Sequence, residues 1–336
     1  MTLAQAIARV RPADTAAGDA VQAALDAKTK PRGSLGRLEE LACRIASARG
    51  TTTPGPIRAT VVVAAGDHGV ARDGVSAYPQ EVTRQMLANF DAGGAAVCVL
   101  ARAAGADLRV VDCGVGTGTA NLAEGPAMSP DEALVQVDAG VALAGELVAG
   151  GTTVVALGEM GIGNSTAAAA LAAALLGVEP RLVCGRGTGL DDAGVARKIA
   201  IVERALKVNA ARLDDAIGTL AALGGFEIAF LVGVALGAAA DRAVVLLDGF
   251  ITAAAALVAV RLAPAARDSM IAAHVSPEPG HRLILDELGL VPLLDLGLRL
   301  GEASGAAVAL PLLHAAAAIV DEMATFAAAG VTDAGR

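Results

Sequence analysis

Residues 152–166 read Thr-Thr-Val-Val-Ala-Leu-Gly-Glu-Met-Gly-Ile-Gly-Asn-Ser-Thr, and an Ala-rich stretch follows them. A β-branched apolar run, a glycine-rich turn and a run of strong helix formers predict strand, loop and helix in that order. The pattern recurs along the chain. Residues 60–65, 108–112 and 243–248 are apolar runs of the same kind, and 270–275 is a weaker one. Continuous apolar strands separated by helical stretches predict a parallel sheet covered on both faces. The expected fold is a three-layer α/β/α domain with a mainly parallel, Rossmann-like sheet over residues 56–302. The first 50 residues read as helical throughout, as does the stretch from about 303 to 329. Residues 1–55 with 303–336 are therefore expected to form a small helical subdomain, with Thr51-Thr-Thr-Pro-Gly-Pro56 as the linker.

Composition excludes several classes of function. The 336 residues carry 26 Lys and Arg against 35 Asp and Glu, a net charge of −9, so no nucleic-acid footprint is expected. Aromatic residues are 2% of the chain, too few for single-strand stacking platforms. Mean hydropathy is +0.58, and uncharged stretches lie between Glu159 and Glu179 and between Glu302 and Asp321. Both are mostly Ala, which inserts poorly, so they read as buried helices and no membrane partner is expected. The first residues lack the pattern of a signal peptide. Four scattered cysteines suit thiols in a reducing cytoplasm.

The glycine- and acid-rich segments all follow predicted strands: Gly66-Asp-His-Gly69, Gly114-Val-Gly-Thr-Gly118, Gly158-Glu-Met-Gly-Ile-Gly-Asn-Ser165, Asp248-Gly-Phe250 and Ser276-Pro-Glu-Pro-Gly-His281. Open parallel sheets bind ligands at that edge, so the five predict one site built from loops. The segment 158–165 mimics a Walker loop without its lysine, Asn164 standing in that place. Backbone amides of Gly161, Ile162, Gly163, Asn164 and Ser165, with the helix dipole, suit a monophosphate better than a triphosphate. Asn164, Ser165 or Thr166 would cap the helix. The glycines of 114–118 do not fit the dinucleotide fingerprint, so no cofactor is expected. Asp67 and His68 read as metal ligands, as an acid–base pair or as residues that order a loop; no metal is expected. Asp191-Asp192 most simply begins a helix. Glu302, among Leu and Ala neighbours, should have a raised pKa and suit a general base; the other reading is a helix cap.

Together, in this order, Lys30-Pro-Arg-Gly-Ser-Leu-Gly-Arg-Leu-Glu39, Asp67-His-Gly-Val70, Gly158-Glu-Met-Gly-Ile-Gly-Asn164, Gly224-Gly-Phe226, Asp248-Gly-Phe250 and Arg299-Leu-Gly-Glu-Ala-Ser-Gly-Ala306 resemble the nicotinate-nucleotide–dimethylbenzimidazole phosphoribosyltransferases. The resemblance spans nearly the whole chain. It implies transfer of phosphoribose from nicotinate mononucleotide to 5,6-dimethylbenzimidazole, giving α-ribazole 5′-phosphate and nicotinate. It implies Glu302 as the base, Glu159 near the developing positive charge or the ribose hydroxyls, and Lys198 on the phosphate. Asp248 and Ser276 join the substrate contacts. Tyr78, Met86 and Leu300 are expected to wall the acceptor pocket, Tyr78 and Met86 sharing a helix face. A homodimer in which the helical part closes the partner's site is implied as well. One departure stands beside the base: Ala303 where the family usually has Gly. A different class, a phosphate-binding or regulatory protein on the same fold, would keep the loops and need no base.

Overall fold

The computed structural model describes residues 1–332. Five strands form one parallel sheet: β1 (Ala59–Ala65), β2 (Asp107–Asp112), β3 (Val154–Met160), β4 (Val244–Leu247) and β5 (Met270–Ala272), in the order β2-β1-β3-β4-β5. Each strand falls on a run read from the sequence, with its ends moved by a few residues. Side chains of a strand alternate between faces, and here both faces are apolar. Val62, Ala64, Val155, Leu157, Val245 and Leu247 enter one core. Val61, Val63, Val154, Ala156, Val244 and Leu246 enter the other. β2 is the exception, with Asp107, Arg109 and Asp112 exposed at the sheet edge, where charge blocks further pairing.

The first core is covered by the helices Pro130–Ala149, Asn164–Leu176, Phe226–Ala240 and Phe250–Leu262. The second is covered by Thr15–Asp26, Arg37–Arg49, Ala96–Ala103 and Ser304–Glu322. The first 50 residues are therefore not one helical run. Helices Leu3–Arg9, Thr15–Asp26 and Arg37–Arg49 are separated where Pro12 and Pro31 withhold a backbone N–H and where Gly33 and Gly36 take positive φ. Both ends of the chain meet: Lys28 bridges Thr325 and its Nζ donates to the Met323 carbonyl at 2.7 Å. They do not share one core, since Leu3 and Ala6 join the first and the rest of the helical part joins the second.

The helix Ser304–Glu322 is long and apolar enough, by length and composition alone, to cross a membrane. Its Ala306, Leu310, Leu313, Ala317 and Val320, spaced by three or four residues, face the sheet. The helix Asn164–Leu176 has 13 residues, about 20 Å of rise, short of a bilayer core.

The helices Pro130–Ala149 and Phe226–Ala240 touch backbone to backbone. A Cβ on Gly233 would lie 1.9 Å from the Val137 carbonyl oxygen, and one on Gly140 2.0 Å from that of Phe230. Gly233→Ala must push the helices apart. It should cost about 1–3 kcal/mol of stability, read as a lower urea midpoint, with kcat per folded molecule unchanged. An unchanged midpoint would contradict this packing.

Candidate active site

Parallel strands deliver their following loops to one edge, and ligand clefts open where the strand order reverses. Here that point lies between β1 and β3. A cavity at this edge is lined by Ser76 from the segment after β1, by Glu159 and Met160 at the end of β3 and residues 161–165 after it, by Gly249, Phe250 and Ile251 after β4, and by His274, Ser276 and Glu278 after β5. Arg299, Leu300 and Gly301 close one side. The expectation that all five loops build one site is corrected. The 66–69 segment lies beneath the β3 loop, where a Cβ on Gly161 would sit 2.5 Å from the Gly66 carbonyl oxygen. The 114–118 loop stays outside, because β2 is the outermost strand. That loop is tied down by carboxylates: Asp112 Oδ1 accepts the amides of Gly114 and Val115, and Asp67 Oδ2 accepts that of Gly116 at 2.7 Å. His68 pairs with Glu227, Nε2 to Oε1 at 2.7 Å, both fully buried. Among the described residues, no group of three or more His, Cys, Asp or Glu is arranged to hold a metal ion.

Glu302 sits on a backbone turn that ordinary residues avoid. Gly301, Glu302 and Ala303 have φ of 83°, 60° and 61°. The left-handed conformation costs about 1–2 kcal/mol for a residue with a Cβ, so the surroundings must impose it. Gly158 leaves the room: a Cβ there would lie 2.6 Å from the Ala303 nitrogen and 2.7 Å from its methyl. The methyl that departs from the family pattern is thus fully buried against β3. Asp248 Oδ1 accepts the Ala306 amide at 2.9 Å and anchors the first turn of the helix that follows. The helix-cap reading of Glu302 finds no support, since Ala303 occupies the cap position and no side chain caps the helix.

The Glu302 carboxyl is buried, its Oε2 has no partner among the described residues, and its pKa is pushed up to about 7 by burial and then by the Asp248 charge. Glu159, at the end of β3, is pushed up to about 8 by burial, with Asp248, Glu227 and Glu302 adding to the shift and the Asn164 amide opposing it. Asn164 donates to Glu159 Oε2. Gly301 is needed twice over, because a Cβ there would also lie 2.3 Å from Glu159 Oε1. Acidic groups thus crowd one end of the cavity.

The start of the helix Asn164–Leu176 lines the same cavity. Gly163, with φ 99°, takes the cap position in place of Asn164, Ser165 or Thr166. The amides of Ile162 and Asn164 are engaged within the protein, by Thr83 Oγ1 and the Gly161 carbonyl. Those of Gly161, Gly163 and Ser165 make no hydrogen bond among the described residues. Lys198, fully buried on the helix Asp192–Val208, brings its Nζ to 3.1 Å from Ser165 Oγ. Asp191 caps that helix through the Gly194 amide at 2.8 Å. Ser276 donates its amide to His281 Nδ1 at 3.0 Å, and burial keeps His281 neutral, its pKa lowered to about 3.

The expected apolar wall is only partly assembled. Leu300 lines the cavity. Tyr78 is 55% exposed at a bend, since Pro79 stands between it and the helix Glu81–Asp91. Met86, inside that helix, packs into the second core. The two therefore share no helix face. Phe250, His274, Glu278 and Arg299 line the cavity without having been singled out beforehand. Phe250 and Glu278 lie within glycine- or acid-rich segments, His274 in the run read as a weak strand and Arg299 at the start of the 299–306 stretch; spacing reveals such segments but not which side chain turns inward.

A family model described as phosphoribosyltransferase matches residues 10–331, which sets the class of transferase. Proteins called nicotinate-nucleotide–dimethylbenzimidazole phosphoribosyltransferase from Roseiflexus sp. (strain RS-1) and Chloroflexus aggregans (strain MD-66 / DSM 9485) are each 50% identical to the chain, covering 98% of both sequences. A crystal structure of CobT from Thermus thermophilus superposes with a TM-score of 0.90 at 48% identity, over 94% of this chain and 99% of that one. The chain belongs to the nicotinate-nucleotide–dimethylbenzimidazole phosphoribosyltransferase family.

The raised pKa values have a consequence for stability. Above the ordinary value of 4.5 and up to about 8, folded Glu159 holds a proton that the unfolded chain has released. Such a group makes the protein less stable as pH rises through that window. Glu159→Gln, neutral at every pH and still able to meet Asn164, should melt at a higher temperature than wild type above pH 8 and at nearly the same temperature below pH 4.5. A variant less stable than wild type on the alkaline side would contradict the burial of this carboxyl.

Proposed function

We propose that Glu302 is the general base of phosphoribosyl transfer from nicotinate mononucleotide to 5,6-dimethylbenzimidazole. The chain is a pentosyltransferase of that reaction, which sets aside the binding-protein alternative. The observation that carries the assignment is a buried carboxylate with an unpartnered oxygen, held on a strained turn directly behind cavity-lining Gly301. One imidazole nitrogen of the acceptor attacks the anomeric carbon. The bond to the pyridinium breaks, its electron pair returns to the ring, and nicotinate leaves. Glu302 takes the proton from the other imidazole nitrogen. Attack opposite the leaving group turns a β- into an α-riboside. Because the leaving group already carries positive charge, its departure needs no acid.

Glu159, protonated at neutral pH, suits hydrogen bonding to the ribose hydroxyls better than pairing with positive charge. Lys198, with Ser165 and the amides of Gly161 and Gly163, receives the phosphate; Asp248 and Ser276 complete the substrate contacts, and Leu300 faces the acceptor. Four free cysteines, three of them buried, fit a reducing cytoplasm. We also propose a homodimer in which residues 1–55 and 303–332 close the partner's site; residues 333–336 of the expected subdomain lie outside the described residues. Light scattering should give a dimer, and a fully active monomer would overturn that.

General-base catalysis is typically worth about 10²–10⁴-fold. Glu302→Gln should lower kcat by about that factor with a melting temperature no lower than that of wild type. In wild type, kcat/KM should rise with pH through about 7, since the base must be ionised. Asp248→Asn removes the charge that raises Glu302 and should move that limb to lower pH. A near-normal single-turnover rate in Glu302→Gln would remove Glu302 from the chemistry.

A further inference from the structure

Lys198 has no exposed surface, and its ammonium bonds to two neutral groups, Ser165 Oγ at 3.1 Å and the Gly185 carbonyl at 3.2 Å. A buried ammonium needs a facing negative charge to stay charged. The elements around it supply few. The helix Asn164–Leu176 has no charged side chain. The turn Pro180–Leu182 has Arg181, which pairs with Glu179 in solvent, and Arg186 pairs with Asp192 outside. Cys184 is buried, its thiol pushed up to about 12 and hence neutral. On the lysine's own helix, Glu203 is exposed and Arg197 donates to the Gly74 carbonyl. What remains is Glu278, from the segment after β5.

The geometry of Glu278 fits that part. Its Oε1 accepts the Gly187 amide at 2.8 Å, and its Oε2 is buried without a partner. The 185–189 loop runs between the carboxylate and the ammonium, and two glycines make this possible. A Cβ on Gly185 would lie 2.3 Å from Glu278 Oε2; one on Gly187, where φ is 50°, would lie 2.9 Å from Ser165 Oγ and 3.0 Å from Lys198 Nζ. Carboxylate, loop, ammonium and the start of the helix Asn164–Leu176 thus form one connected layer beside the cavity, and Glu278 also lines that cavity.

We propose that Glu278 is a positioning residue for the transfer: it fixes the 185–189 loop and, across it, holds Lys198 in place as the cation that receives the donor phosphate. The inference rests on the reading of Lys198 given above. It assigns to Glu278 an effect on the donor and none on the acceptor.

Steady-state kinetics with nicotinate mononucleotide and dimethylbenzimidazole, from neutral to alkaline pH, test it on wild type, Glu278→Gln, Glu278→Asp and Lys198→Ala, each checked for its melting temperature. Glu278→Gln keeps an acceptor for the Gly187 amide and loses the charge. It should raise the donor KM about tenfold or more, increasingly as pH rises, and leave the acceptor KM as in wild type. Glu278→Asp keeps the charge and should show a smaller rise with the wild-type pH dependence. A Gln variant with the wild-type donor KM at every pH, beside a Lys198→Ala variant with a raised one, would overturn the proposal and leave the phosphate reading intact. A Lys198→Ala variant with an unchanged donor KM would overturn both. Should the Gln variant fail to fold, the Asp variant decides: a donor KM that climbs more steeply with pH than in wild type would overturn the proposal, and a parallel profile supports it.

Discussion

Gly158 has no side chain, and the backbone and methyl of Ala303 fill the space one would take. This contact joins the end of β3 to the start of the helix Ser304–Glu322, more than a hundred residues apart in the chain. It fixes two successive left-handed residues, and with them the direction of Glu302. The helix is in turn held by its apolar face on the sheet and by Asp248, which takes the Ala306 amide. Local strain of about 1–2 kcal/mol per residue persists because the packing around it over-determines the turn. Gly301 and Gly305 extend the same logic, since a Cβ on either would meet Glu159 or His274.

Burial and like charge then set the chemistry. Glu159, Glu302, Asp248 and Glu227 approach one another at the sheet edge in surroundings that shield them from water. Glu227 has His68 as a partner. For Glu159 and Glu302, protonation relieves what an ion pair does not, so their pKa values rise. The start of the helix Asn164–Leu176 lines the same cavity, and Lys198 stands behind it on Ser165.

Much of this was legible in the sequence. Apolar runs marked β1, β3, β4 and β5, because strands buried on both faces need no polar alternation; the edge strand β2 showed instead by Val110 and Val111 among charged residues. The lysine-less glycine loop and the isolated acid at Glu302 stood out by their neighbours. Less legible was whatever depends on contacts distant in sequence. His68 with Glu227, Glu278 with the Gly187 amide and Gly158 with Ala303 each join segments that spacing does not connect. Tyr78 and Met86 misled because their interval of eight suits a helix that Pro79 does not allow to begin so early. Asn164 read as a cap, yet Gly163 supplies the required positive φ and leaves the Asn164 amide to Glu159.

Burial and the Asp248 charge place Glu302 between its two protonation states near neutral pH. Carbon NMR of the glutamate side-chain carboxyls, with Glu302 assigned by its missing signal in Glu302→Gln, measures this directly. The expected titration midpoint for Glu302 in the unliganded enzyme is about 7. A midpoint at the ordinary value of 4.5 would contradict it.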